Sequence, residues 1–448
     1  MKKEVLVLSV SGMIGSGFSE ETFYRALEMK PDVVACDCGS TDSGPYSLGK
    51  GVCNKSRASI KRDIRLMLLG GMKNQVPVLI GSAGTAGGDL NLAWTLDIVR
   101  EIAREEDLHF KLGIIHSEIS RETLRKYWKD GKVKPLNPAP EITDASIDEM
   151  EHIVGLMGTE PYIHAMEQGA QVVLAGRSSD VSIFAAVPCM MGLTEGPTWH
   201  AAKLLECGAA CVELRQYPDC MMAWIGEDSF RIEPPNPIMK CTPVSCVSHA
   251  LYETSNPFDQ VEPGGILHIK DAVYEAVSDR AVRISGSRIE KTSQYTIRLE
   301  AARFLGYRQY VIAAVRDPLV IGQLDSFLDG AKAGAIRRMK QSLGLEYGKD
   351  FDFIIKVYGN SKNYAPDEIC LLMQVVAKTE EDAAALGDIA WHSILHHPIP
   401  EWSGSQSNLA FPFSPPSVKG GEAYEFCLNH VVEVDDPLEL FSFEYEQL

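Results

Sequence analysis

The sequence is short of positive charge. Its 61 acidic side chains face 43 lysines and arginines, a formal net charge of −18. Nucleic-acid binding needs a basic footprint that displaces counterions, so nucleic acid is excluded as a partner, and an anionic membrane surface with it. No stretch approaches the ~20 apolar residues of a spanning helix. The N-terminal run MKKEVLVLSVSG lacks the longer apolar core and small-residue cleavage site of a signal peptide, and reads as a first buried strand ending in a glycine turn. There is no Cys-x-x-Cys pair. The eleven cysteines include Cys36-x-Cys38, Cys207-x3-Cys211 and Cys241-x4-Cys246. None of these spacings fits a zinc ribbon or a redox motif, so they read as reduced, mostly buried thiols of a cytoplasmic protein. The Gly-x-Gly-x-x-Gly fingerprint and the Lys-Ser/Thr ending of a phosphate loop are missing too. No nicotinamide, flavin or nucleotide cofactor is therefore assigned. A divalent metal stays open through Asp37, Asp42 or Glu253, although no spacing demands one.

What is present is ordinary globular material. At 448 residues, 45% hydrophobic and 23% charged, the chain can bury large cores and suggests two or three domains. The first half alternates apolar β-branched runs with amphipathic ones. Strands are expected over 4–10, 31–39, 76–84, 110–119 and 171–179, and helices over 19–30, 56–74, 89–107 and 150–170. Such alternation predicts an α/β fold with a doubly wound, mainly parallel sheet. A β-rich middle region follows over about 195–340. Residues 341–448 then read as a small α+β module, in strand, strand, helix order, with a Pro-, Ser- and Gly-rich loop over 398–421. After Lys419 come eight acidic side chains and no lysine or arginine. That segment reads as a solvated acidic tail, with a partner-binding tail as the alternative. His396-His397 reads as a helix end rather than a metal pair.

In doubly wound sheets ligands bind beyond the carboxyl ends of the strands. Four loops there are small and polar: SGMIGSG (11–17), CGSTDSG (38–44), GSAGTAGG (81–88) and GRSSD (176–180). In the third, Ser82, Gly84, Thr85 and Gly87 offer backbone amides to a phosphate or carboxylate, or simply make a tight turn. In the second, Ser40, Thr41 and Asp42 offer hydroxyls and a carboxylate, against a satisfied turn. Arg177 can grip a substrate carboxylate bidentately, or pair with Asp180. Further on, CTPVSCVSHALYE carries His249, Tyr252 and Glu253. Spacings of i, i+3 and i+4 put the three on one helix face. Imidazole, phenol and carboxylate are proton-transfer groups, though such a trio also occurs as a hydrogen-bonded structural cluster.

The run CTPVSCVSHALYETSNPFDQVEPGGILHIKDAVYEAVSDRAVRISGSR, with YTIRLEAARFLGYRQYVIAAVRDP, GRSSDVSIFAA and HAAKLLECGAACVE, resembles the acyclic terpene utilisation (AtuA-like) family over roughly residues 5–415. The resemblance implies a large AtuA-like α/β domain over 1–340 and a ferredoxin-like module over 341–448. It adds weight to the His249, Tyr252 and Glu253 segment. The expected activity is that of a lyase, hydratase or isomerase moving a proton next to a carbonyl of a small hydroxy or unsaturated carboxylate or its thioester. The alternatives are a coenzyme A thioester lyase in branched-chain acid breakdown, and a non-catalytic subunit or ligand-binding partner. The expected partners are a small-molecule carboxylate and either further copies of the chain or a second subunit.

Overall fold

The computed structural model describes residues 4–252, 254, 256–359, 366–401 and 407–448. The chain divides into two compact units, 1–303 with 426–448, and 304–425. Strands Tyr295–Val315 and Ser417–Val434 run from one unit into the other.

The first unit is built on a ten-stranded sheet. Its centre is five parallel strands: Val5–Ser9, Val33–Asp37, Val78–Gly81, Val172–Ala175 and Lys111–His116, in that spatial order. These are the five strands expected from the β-branched runs. Alternate residues feed different cores. Val5, Val7, Val33, Leu79 and Val173 face one apolar cluster, while Leu6, Leu8, Val34, Val78 and Leu174 face another. A strand covered on both faces has no room for a polar alternation, which is why these runs read as continuous. Helix Arg57–Asn74 shows how each side is covered. Ser56 caps its start by accepting from Ser59 N, and Gln75 ends it in a left-handed conformation. Between them Ile60, Ile64, Met67, Leu68 and Gly71 recur at helical spacing on one buried face. Each large apolar side chain so buried stabilises the fold by about 1.5–3 kcal/mol.

The sheet departs from a mainly parallel one at its flanks. Met221–Ile225 pairs antiparallel with the first strand and is extended by Ser229–Glu233, Val282–Ser285 and Val273–Ala276. At the other edge Ser442–Gln447 runs antiparallel to Lys111–His116. The result is a mixed sheet. The acidic C-terminal segment is thus woven into sheet structure rather than left as a solvated tail. Glu446 pairs with Arg100, and Lys132 lies 2.9 Å from Asp435.

A second difference concerns residues 150–170. Met150–Gly155 is a strand, antiparallel to the 299–303 part of the Tyr295–Val315 strand, and the helix is confined to Glu160–Glu167. A short apolar run has no period that separates strand from helix, and here a partner about 150 residues away decides. The middle region is less purely β than expected. Beside the small sheet of Asp259–Glu262, Gly265–His268 and Arg288–Lys291 it holds helices Glu195–Leu205, Pro243–Ala250 and Leu324–Leu343.

The second unit follows the order strand, helix, strand, strand, helix, strand. Its sheet order is Phe351–Tyr358, Ile369–Ala377, Tyr295–Val315, Ser417–Val434. Ile369–Ala377 alternates buried and half-buried positions, so one face packs and the other does not. Phe327, Ala331, Ala335 and Met339 of Leu324–Leu343 pack with Leu386 and Ala390 of Glu380–Leu395 onto that face. His396 is the C-cap of the latter helix. Among the described residues, no helix is long and apolar enough to cross a membrane.

Candidate functional site

The carboxyl ends of the parallel strands gather a buried polar group in the first unit. Asp37 closes Val33–Asp37, Ser82 follows Val78–Gly81, Ser117 follows Lys111–His116, and Arg177 stands two residues past Val172–Ala175. Glu300 enters from the long Tyr295–Val315 strand. Arg177 is only 5% exposed and is fully engaged. Its Nε donates to Glu300 at 3.1 Å, one terminal nitrogen donates to Ser82 Oγ and Asp180 at 3.2 Å each, and its backbone N–H donates to Ser117 Oγ at 2.6 Å. Burial works against the guanidinium charge, but Glu300, Asp180 and Asp37 outweigh it. Burial likewise opposes the Glu300 carboxylate, and Arg177 more than compensates, so its pKa falls below the ordinary value. Thr41 Oγ1 donates to the same carboxylate at 3.2 Å.

Asp37 is the exception in this group. It is 2% exposed, and neither carboxyl oxygen makes a hydrogen bond of ordinary geometry. Burial first, and the charge of Asp180 second, push its pKa well up, against a smaller pull from Arg177. Such a setting favours the protonated form of the carboxyl over the anion.

The glycine loops have their amides largely occupied by the chain itself. Gly15 and Gly17 of the first loop donate to Asp63 at 2.8 and 3.0 Å. In the third, Ser82 and Ala83 donate to the carbonyls of Gly176 and Ala175, and Gly87 to that of Ala83. The amide of Asp89, first residue of the following helix, donates to Glu118 at 2.6 Å. Ser82 and Thr85 both hold positive φ, 43° and 86°, an uncommon backbone for such residues. Thr85 Oγ1 is bound to Asn54 at 3.0 Å. Gly87, with φ +69°, lies so close to the chain bearing Arg177 that a Cβ would stand 2.1 Å from Arg177 N. Ser40 accepts from Asp42 N at 3.0 Å, and Asp42 itself is exposed. Gly84 holds φ +61° beside the backbone of Asn91.

A second polar group stands on residues 203–262. Lys203 donates to Glu206 at 2.6 Å, both under 10% exposed. Ser179 donates to Glu262 at 3.0 Å. Burial lifts Glu206 to about 8, partly offset by Lys203 and reinforced by Asp180. Burial lifts Glu262 to about 7, partly offset by Ser179 and Lys203. His249, at the end of helix Pro243–Ala250, is 7% exposed and its Nε2 is buried without a hydrogen bond. Burial, then Lys203 and Arg215, lower it to about 4, so it is neutral at pH 7. Its ring stacks on Tyr252, centroids 5.9 Å apart. Both line a cavity of about 390 Å³ whose walls come from residues 210–252. Glu253 lies outside the described residues.

Arg177, Asp180, Ser82 and Thr41 thus come together, and His249 and Tyr252 come together elsewhere. The two groups are linked through charge, since Asp180 acts on both Glu206 and Glu262. Sequence reasoning left Lys203, Glu206, Glu262 and Glu300 out of its candidates. A signal for the first two was there: Lys203 and Glu206 sit i, i+3 inside the apolar run HAAKLLECGAAC, where charges survive only in pairs. Among the described residues, Glu206, Cys207 and His249 place ligand atoms within 4.8 Å of one another, and Glu206 also accepts from Lys203. Asp37, a metal candidate from the sequence, is not part of that trio.

Fold and site define an α/β protein with acid–base groups at the carboxyl edge of a mixed sheet. Residues 67–213 match the family model described as "Acyclic terpene utilisation family protein AtuA", and the resemblance seen in the sequence is borne out over that stretch. The match holds the third and fourth glycine loops, Arg177, Lys203 and Glu206. It ends before the segment bearing His249. No curated protein matches the chain.

Proposed function

We propose that the chain is a catabolic lyase, hydratase or isomerase that moves a proton next to the carbonyl of a small organic acid presented as its thioester. The observation that carries this reading is Asp37, a buried carboxyl whose oxygens make no hydrogen bond of ordinary geometry, set beside Asp180, Ser82 and Arg177 at the sheet's carboxyl edge. Arg177 spends its charge on Glu300 and Asp180. A free substrate carboxylate would enter a basin already negative, whereas a neutral thioester would not. Asp37 is then the proton donor. Glu262, poised near neutrality, is the base, matching the pKa a general base needs. Ser40, Thr41, Asp42, Ser82, Gly84, Thr85 and Gly87 shape the binding edge, and His249, Tyr252 and Glu253 form an auxiliary proton-handling face. The family description names acyclic terpene utilisation, which supports a catabolic role. The same reading takes the ten-stranded sheet as doubly wound, supported by apolar cores on its two faces. It takes the second unit as ferredoxin-like, supported by its strand and helix order.

The test is a panel of enoyl and 3-hydroxyacyl thioesters of branched acids, beside the free acids, followed by NMR in deuterium oxide for exchange at the α-carbon. Exchange or turnover with thioesters, lost in Asp37→Asn and in Glu262→Gln, is expected. Full rates in both variants would sink the assignment of roles. Turnover confined to the free acids would sink the thioester preference. Activity that arises only with a second, co-expressed subunit would favour the partner-subunit reading.

A further inference from the structure

We propose that Cys211, Cys241 and Cys246 form a three-thiolate site for a thiophilic d10 metal ion. Their sulfur atoms all lie within 4.8 Å of one another, and the residues are 0%, 2% and 0% exposed. A Zn–S bond of about 2.3 Å implies sulfur separations of roughly 3.8 Å, a modest closure from there.

The three arrive from separate segments that the backbone fixes in place. Cys211 ends the short helical turn Ala209–Cys211. Cys241 is tied by its N–H to Arg280 O at 3.1 Å, and Val212 bridges to it. Cys246 rides helix Pro243–Ala250, whose start is fixed by the reciprocal capping of Thr242 and Ser245. Ser245 Oγ also donates to Cys211 O at 2.7 Å. Buried cysteines often act as small apolar residues, and the surrounding core is apolar. Packing and the hydrogen bond from Cys246 Sγ to Cys211 O at 3.9 Å account for one thiol; the grouping of all three sulfurs is the feature that points to an ion. Val212, Thr242 and Ser245, each next to one of the cysteines, line the cavity of about 390 Å³. The cavity thus passes within one residue of each cysteine, although none of the three lines it. The thiols release their protons to buffer as they ligate. Zinc(II) would need a fourth ligand to complete four-coordination, whereas copper(I) accepts three sulfurs alone.

The experiment uses the full chain, reduced and free of oxygen. Zinc(II), cadmium(II) as an optical probe and copper(I) are each titrated against a competing chelator. One equivalent is expected, with a thiolate-to-cadmium charge-transfer band. Peptide mapping should show three thiols, 211, 241 and 246, shielded from alkylation. Cys246→Ala should weaken binding at least 100-fold, while Cys220→Ala, buried elsewhere, and His249→Ala, in the neighbouring Glu206–Cys207–His249 group, should bind as the parent does. Circular dichroism confirms that each variant is folded, and the alkylation map needs no variant. Zinc binding alone assigns the four-coordinate site and copper binding alone the trigonal one. Binding of none of the three metals, binding unchanged in folded Cys246→Ala, or a disulfide joining two of the three cysteines in the isolated protein would overturn the proposal.

Discussion

A carboxyl that keeps its proton is close in shape and polarity to a carboxamide, and that separates two substitutions at the strand-end group. Asp37→Asn keeps the shape and removes a charge that burial and Asp180 already disfavour. It should change stability by only about 1 kcal/mol, or about 1 °C in Tm for a chain of this size, while lowering turnover by about 10²–10⁴-fold. Glu300→Ala does the reverse. It strips Arg177 of the partner bound through Nε and leaves a buried charge undercompensated, at a cost of about 3–5 kcal/mol. Urea unfolding of both, beside the exchange assay, distinguishes a chemical role from a structural one. At this scale the sequence was half legible. Arg177 and Asp180, three residues apart, announce each other. Glu300 does not, because its partner is set by the register of a strand that pairs with residues 150–155.

Among the elements, the turn between Gly81 and the helix from Asp89 is the most tightly drawn. Gly87→Ala would force a side chain into a left-handed position and against the backbone of Arg177. A loss of about 3 kcal/mol or more is expected, from strain and clash together, measurable as a fall in Tm. The five parallel strands were readable because strands covered on both faces must be continuously apolar. The Met150–Gly155 strand was not, since a short apolar run beside a true helix offers no distinguishing period. The antiparallel additions at the sheet edges escaped for a related reason: alternating, half-exposed strands such as Ser442–Gln447 look like solvated sequence until their neighbour is known.

For the molecule as a whole, the raised carboxyls set how stability responds to pH. Glu262 has a folded value of about 7 against an ordinary 4.5, so the folded chain holds this proton more tightly than the unfolded chain. Its contribution is complete below about 4.5 and is lost as pH rises through about 7. Tm should therefore fall between about pH 5 and about pH 8, and Glu262→Gln should flatten that fall; an unchanged slope would show that Glu262 titrates normally. The net charge of −18 was legible in the sequence. Where the acids lie, and which of them are lifted by burial, was not, because it depends on contacts such as Ser179 to Glu262 that join residues 83 apart.

Asp63 on the amides of Gly15 and Gly17, and Glu118 on the amide of Asp89, have a bearing on inhibition. Inorganic phosphate and sulfate are abundant in cells and ordinarily compete for such amide nests. Here those positions are held by tethered carboxylates whose effective concentration no dissolved salt matches. Small inorganic anions should therefore find these amides already taken, so phosphate and sulfate are expected to be weak competitors of any ligand bound at this edge.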